Sequence, residues 1–240
     1  MFLCEGTHLI QEALATHWPI DSVCFTEEWA AKHFDLLALL TPNVRQQCVS
    51  EQVLAHLATT EQPDGVIAIA KLRVSPPPPT SITLGLGVET LQEPGNLGAL
   101  IRASVATQAD GIWMTPDSVD AYHPKVLRAS AGQWFRQPPI AANFRPWLEK
   151  CRSQSIQILA AAAGGRSFWD FDFTKPTIFL LGNEGAGLST PIRKLADEIV
   201  SIPMASGVES LNVGTTGALL LYEAKRQREH RRADEKRHRS

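Results

Sequence analysis

Apolar residues recur at helical spacing over residues 7–17, where Leu9, Ile10, Ala13 and Leu14 share one face. Short β-rich runs follow at 21–26, 44–49 and 65–72. Helical stretches at 27–34 and 51–59 separate them, the second opened by Ser50 in an N-cap position. This alternation predicts a small α/β module over residues 1–74. Residues 75–81 begin with Ser75 and four consecutive prolines, which favour stiff polyproline II over helix or central strand. They are read as a linker, with an ordered surface loop as the alternative.

Alternation restarts after the prolines. Strands are expected at 82–88, 111–114, 156–162, 177–181 and 199–203, and helices at 97–108, 124–131, 147–153, 191–196 and from about 213 to 232. The strand runs are continuously apolar, as in a parallel sheet covered on both faces. A doubly wound α/β domain over residues 82–228 is therefore expected, followed by a basic tail at 229–240.

Composition narrows this picture. The 240 residues are 44% hydrophobic and 20% charged, enough apolar material for packed cores. The formal charge of −2 hides an uneven distribution: residues 1–79 carry 4 basic and 9 acidic groups, residues 223–240 carry 8 and 4. Net charge therefore announces no nucleic-acid partner. The tail reads either as a solvated helix end or as a hand for a phosphate backbone. Four cysteines without a CxxC pair, and seven scattered histidines without dense ligand spacing, give no reason to expect a metal. The start lacks a basic n-region and no apolar stretch reaches spanning length, so a cytoplasmic protein without membrane attachment is expected.

Familiar signatures fail. In the stretch from Gly85, Gly87 is followed by Thr90 where a dinucleotide fingerprint needs its third glycine, and Ser130 lies outside a GxSxG elbow. Three polar, glycine-bearing segments remain, each after an expected strand, where open parallel sheets bind their ligands. The first is NLGALIRAS, with Asn96 at a turn or cap and Arg102 on an otherwise small, apolar helix. A lone arginine there needs an anion or an acceptor. The second, FLLGNEGAGLS, puts Glu184 among Gly182, Gly185 and Gly187; a tight turn explains the glycines but not the glutamate. The third, IPMASGVESLNV, runs from Ile202 to a Ser210/Leu211/Asn212 stretch that introduces a helix.

Together, in this order and spacing, the three segments resemble the motifs of the SpoU (TrmH) family of RNA 2′-O-ribose methyltransferases, in the SPOUT superfamily. The stretch YHPKVLRASAG at 122–132 is similar to the family's connector between its first two motifs, and Phe2-Leu-Cys-Glu5-Gly6 resembles the opening of the RNA-binding module often placed ahead of the catalytic domain. The resemblance implies a parallel sheet ending in a trefoil knot, S-adenosylmethionine bound through Gly182, Ile202, Leu211 and Ala162 (or Ala161), and a homodimer. It implies Arg102 as the catalytic arginine, as a base or as an orienting cation. Asn96, Glu184, Ser210 and Asn212 would position the substrate and Arg102. RNA contacts are expected from Arg102 and Arg128, with ribosomal RNA favoured over transfer RNA. The absence of a basic stretch before Glu5 and the acidic charge of the module depart from the family pattern. A non-catalytic RNA-binding or assembly protein of the same fold is the alternative reading.

Overall fold

The computed structural model describes residues 1–73 and 81–237. The proline-rich stretch expected as a linker lies outside the described residues, apart from Ser81.

The N-terminal module is a four-stranded sheet in the order β1 (Phe2–Glu5), β4 (Val66–Ala70), β2 (Ile20–Phe25), β3 (Arg45–Cys48). Only β2 and β3 run parallel. Helices α1 (Thr7–Ala15), α2 (Glu27–Lys32), α3 (Phe34–Ala38) and α4 (Glu51–Leu57) complete it. Thr26 and Ser50 cap α2 and α4 by accepting from backbone N–H groups at Trp29 and Val53.

The second domain holds a six-stranded sheet, parallel at every pairing, in the order β10 (Glu198–Ser201), β8 (Gln157–Ser167), β9 (Thr177–Leu181), β5 (Leu84–Val88), β6 (Gly111–Met114), β7 (Ile140–Ala141). Every residue of β5, β6 and β9 is buried, as their continuous apolar runs predict. Helices α5 (Pro94–Ala106), α6 (Pro124–Ala129), α7 (Phe144–Ser153), α8 (Thr190–Arg193) and α9 (Val213–Arg237) connect and cover the strands. Both α6 and α9 pack on α5.

Three features differ from the sequence expectation. Strand β8 does not stop at Ala162: its register with β10 jumps from Ala160↔Ile199 to Arg166↔Val200, so residues 161–165 are extruded between two paired stretches. Short β1, β7 and α3 were not foreseen, because two to five residues carry no period of their own. Helix α9 runs on through the expected tail to Arg237, with ion pairs such as Lys225–Glu229 and Arg231–Glu235 along it.

The two domains share one core. Phe2 and Trp18 of the module meet Tyr122, Trp134 and Phe135 of the second domain, with ring centroids 5.1–6.4 Å apart in the pairs that cross. A second cluster around Trp113, Leu148 and Ile178 lies apart from that shared core.

Candidate active site

The segments that leave β9 and β10 converge with the extruded part of β8, the strand between them, on a cavity of about 500 Å³. That size suits a single small-molecule ligand. Its wall includes Ala161 and Ala162 from the extruded segment, Gly182 and Glu184 after β9, and Ile202, Ser210, Leu211 and Asn212 after β10. All four expected cofactor positions thus face one space.

The turn after β9 is built by its own side chain. Asn183 Oδ1 accepts from the backbone N–H groups of Gly185 and Ala186, and its amide donates to the Thr90 carbonyl. Asn183 and Gly187 also exchange backbone hydrogen bonds at 2.9 and 3.1 Å. The chain folds back so tightly that a Cβ on Gly182 would overlap the backbone of Gly187 and Leu188. Glycine here is a requirement of close approach between the two strands of the turn.

Glu184 is not a free base. Its carboxylate accepts from the backbone N–H of Gln92 (3.2 Å) and Glu93 (3.0 Å), and from Asn96 Nδ2 (3.0 Å). Desolvation pushes its pKa up, but these hydrogen bonds outweigh it and hold the carboxyl below its ordinary value. Asn96 in turn accepts from Asn212 Nδ2 at 2.7 Å, and Asn212 Oδ1 accepts from Thr215 N, at the start of α9. One chain of contacts therefore ties the β9 turn, the first turn of α5 and the start of α9 together.

Asn96 is buried behind the cavity wall and does not line it. Arg102 lies six residues further along α5, about 9 Å along the axis. It sits on the exposed stripe that also carries Ala99 and Ala106. No side-chain hydrogen bond or ion pair engages it among the described residues. Ser210 is exposed at the cavity, likewise without a hydrogen-bond partner there. Arg128 is elsewhere: its guanidinium turns to the N-terminal module and pairs with Glu5, so the RNA contact expected of it meets a competing structural role. Sequence reasoning missed Asn183, Met204 and Glu209, which lie inside the motif segments, and Thr216, one turn beyond Asn212 on α9, as lining residues. No cluster of three or more metal-ligating side chains is found among the described residues.

The cavity suits S-adenosylmethionine on its own evidence. It sets Gly182 beside the apolar Ile202 and Leu211, and Leu211 and Met204 remain 36% exposed at its wall. A cavity beyond the strand ends of a parallel α/β sheet is where such folds bind small-molecule ligands and cofactors.

Comparison with known proteins gives the family. The SpoU rRNA methylase family matches residues 83–222, and the RNA 2′-O ribose methyltransferase substrate-binding family matches residues 3–73. The chain is 44% identical over 232 residues (94% of this chain, 84% of the relative) to an uncharacterized tRNA/rRNA methyltransferase of Synechocystis sp.. It is 32% identical, over 95% of this chain and 83% of the relative, to a 23S rRNA uridine 2′-O-methyltransferase of Streptomyces viridochromogenes. The crystal structure of the SpoU methyltransferase AviRb from that organism, in complex with AdoMet, superposes with a TM-score of 0.84 at 31% identity, covering 95% of this chain and 90% of that one. The chain belongs to the SpoU family. It is an S-adenosylmethionine-dependent RNA 2′-O-methyltransferase.

Proposed function

We propose that the substrate is ribosomal RNA and that the ribose 2′-hydroxyl is presented to the cavity beside Arg102. The observation that carries the placement is the Glu184–Asn96–Asn212 chain, which ties the first turn of α5, the helix that bears Arg102, to the cavity wall; the choice of ribosomal RNA is supported by the 23S rRNA methyltransferase among the relatives. When bound, the cofactor supplies an electrophilic methyl group on a sulfonium centre. Gly182, Ile202, Leu211 and Ala162 hold it, largely through main-chain and apolar surface. A guanidinium in water keeps its proton, so exposed Arg102 fits a cation that orients the neighbouring phosphate and stabilises the developing alkoxide better than it fits a base, and the hydroxyl proton leaves to solvent water at this open face. Ser210, exposed at the rim, is the hydroxyl available to the substrate. Glu184 and Asn212 act behind it as positioning groups.

The remaining expectations follow the same geometry. After β10 at one sheet edge the chain returns to lay α9 on α5, a path that supports the trefoil knot. A homodimer is supported by the exposed apolar stripe on α9, where Leu219 is 39% and Tyr222 52% exposed beside the small Ala99 and Ala106 face of α5. Among the described residues no helix is long and apolar enough to cross a membrane, and the cytoplasm, where ribosomal RNA is found, is the proposed location.

The test is transfer of labelled methyl to unmodified 23S rRNA and tRNA transcripts, wild type beside Arg102→Ala. Label on a ribose of 23S rRNA, lost in the variant, supports the reading. Label confined to tRNA overturns the substrate, and undiminished transfer by the variant overturns the role of Arg102.

A further inference from the structure

The connector at residues 122–132 has no place in the cavity, yet it is where the two domains meet. Tyr122 enters the aromatic cluster with Phe2 and Trp134. Ala131, held at a left-handed φ of 47° that an alanine rarely adopts, turns its carbonyl to the His8 Nε2–H at 3.1 Å. Between them Arg128 Nη1 donates to Glu5 Oε2 at 2.5 Å and to Thr59 Oγ1 at 2.9 Å.

Glu5 is the unusual partner. Its side chain is only 2% exposed, on an edge strand of the module. It accepts from the backbone N–H and hydroxyl of both Thr59 and Thr60, at 2.6–3.1 Å. A buried carboxylate so fully satisfied is a fixed negative point within the module, and the guanidinium must come to it in one geometry. The surrounding aromatic rings give adhesion but little direction, whereas a buried hydrogen-bonded ion pair selects one arrangement over its neighbours. On the other side of the joint, α6 carries Arg128 and packs on α5 so closely that a Cβ on Gly98 would overlap Ala129. Gly98 lies on α5 between Asn96 and Arg102.

We infer that Glu5 and Arg128 are positioning residues for RNA: through the rigid α6–α5 contact they hold the N-terminal module in register with Arg102, so that RNA gripped by the module presents its ribose at the cavity. This rests on the RNA-methylating reading of the site and adds to it a cause for RNA affinity that lies outside the cavity. The acidic module would thereby contribute placement of the RNA as well as contact with it.

The experiment uses the full chain and compares Arg128→Gln with Arg136→Gln. The second variant removes another ion pair across the same joint, Arg136 to Glu12 at 2.7 Å, where the arginine side chain is 45% exposed. At a temperature where all variants are folded, Arg128→Gln should raise KM about tenfold or more for whichever transcript the wild type labels, with kcat within about threefold and S-adenosylmethionine affinity unchanged. Arg136→Gln should leave KM within about twofold. The double variant Glu5→Gln/Arg128→Gln, which leaves no unpartnered charge, should recover part of the KM loss. Equal KM effects of the two single arginine variants, or a loss of cofactor affinity matching the loss in KM, would overturn the proposal. Hydrogen exchange supplies an arm independent of substrate: Arg128→Gln should speed exchange in β1 and α6 while leaving β9 protected, and unchanged exchange in β1 and α6 would also overturn it. Absence of wild-type methyl transfer to either transcript would instead count against the substrate reading, leaving the exchange result to decide the joint.

Discussion

Two glutamates organise this molecule, and they differ in what closes around them. Glu184 and Glu5 each gather several hydrogen-bond donors, and in each case those bonds outweigh the upward push of desolvation to hold the pKa below its ordinary value. Glu5 is buried, and an arginine from the other domain completes its surroundings. Glu184 lines the cavity on one side; its three donors come from the residues leading into α5 and from its first turn. Saturated hydrogen bonding is therefore no mark of a catalytic group. A cluster closed by a counter-charge joins two bodies, and a cluster left open on one side holds a reactive surface in place.

The sharpest way to break this comparison is to remove the cation that the open cluster leaves free. Arg102→Ala should cut methyl transfer by about 10²–10³-fold or more, the scale of losing a charge-stabilising donor, with cofactor affinity within a few-fold. Isothermal titration beside a transfer assay separates the two, and a large loss of cofactor binding would place Arg102 in the cofactor site instead. Next in size is Glu184→Ala, which strips acceptors from Gln92 N, Glu93 N and the Asn96 amide. Transfer should fall about 10- to 100-fold as α5 loosens, with a smaller change in cofactor affinity. If Glu184→Gln, which retains one carbonyl acceptor, lost as much as the alanine variant, charge rather than positioning would be its contribution.

The open cluster was far more legible in the sequence than the closed one. Gly182, Glu184, Ser210, Leu211 and Asn212 lie within short contiguous segments that each follow an apolar strand, so local pattern found the segments and their resemblance to a family grouped them. Arg128 reads as a free cation because its partner is 123 positions away. No periodicity links Phe2 to Trp134, and a four-residue edge strand such as β1 gives no signal of its own. The second half of β8 was hidden for another reason: the apolar run ends at Ala163 before two glycines, so the expected strand stops at 162, whereas pairing with β10 resumes at Arg166. The parallel sheet was visible because burial on both faces is written into composition. The joint was invisible because it is written only in distance.

Acid should probe the closed cluster with a smaller effect. A carboxyl whose folded pKa lies below its unfolded value contributes stability above the unfolded value, and that contribution is lost as pH falls through the folded one. Glu5 should therefore stabilise the protein at neutral pH and cease to do so as pH drops below the ordinary glutamate value of about 4.3. In Tm measured against pH, Glu5→Gln should melt several degrees below wild type at pH 7, with the gap closing towards pH 3. A gap that stays constant to pH 3 would mean that the charge on Glu5 contributes nothing at the joint.

The smallest effect belongs to the end of α9, where the comparison reaches its limit. Arg228 lies against the body: its guanidinium donates to the carbonyls of Phe173, Thr83 and Lys175, at the end of the sheet opposite the cavity. Beyond it the described side chains are exposed, and residues 229–240 carry five basic and three acidic groups. Its described residues meet neither a buried counter-charge that would make a joint nor a cavity that would make a site, and the role left to test is long-range attraction to a phosphate backbone. Deleting residues 229–240 should weaken RNA binding a few-fold at low salt and lower the slope of log K against log salt by about 1–2, the scale of one or two phosphates left unneutralised. Fold and cofactor affinity should not change, because the Arg228 hydrogen bonds stay. An unaltered salt slope would make the segment a solvated helix end, whose cations do no more than suit the helix dipole.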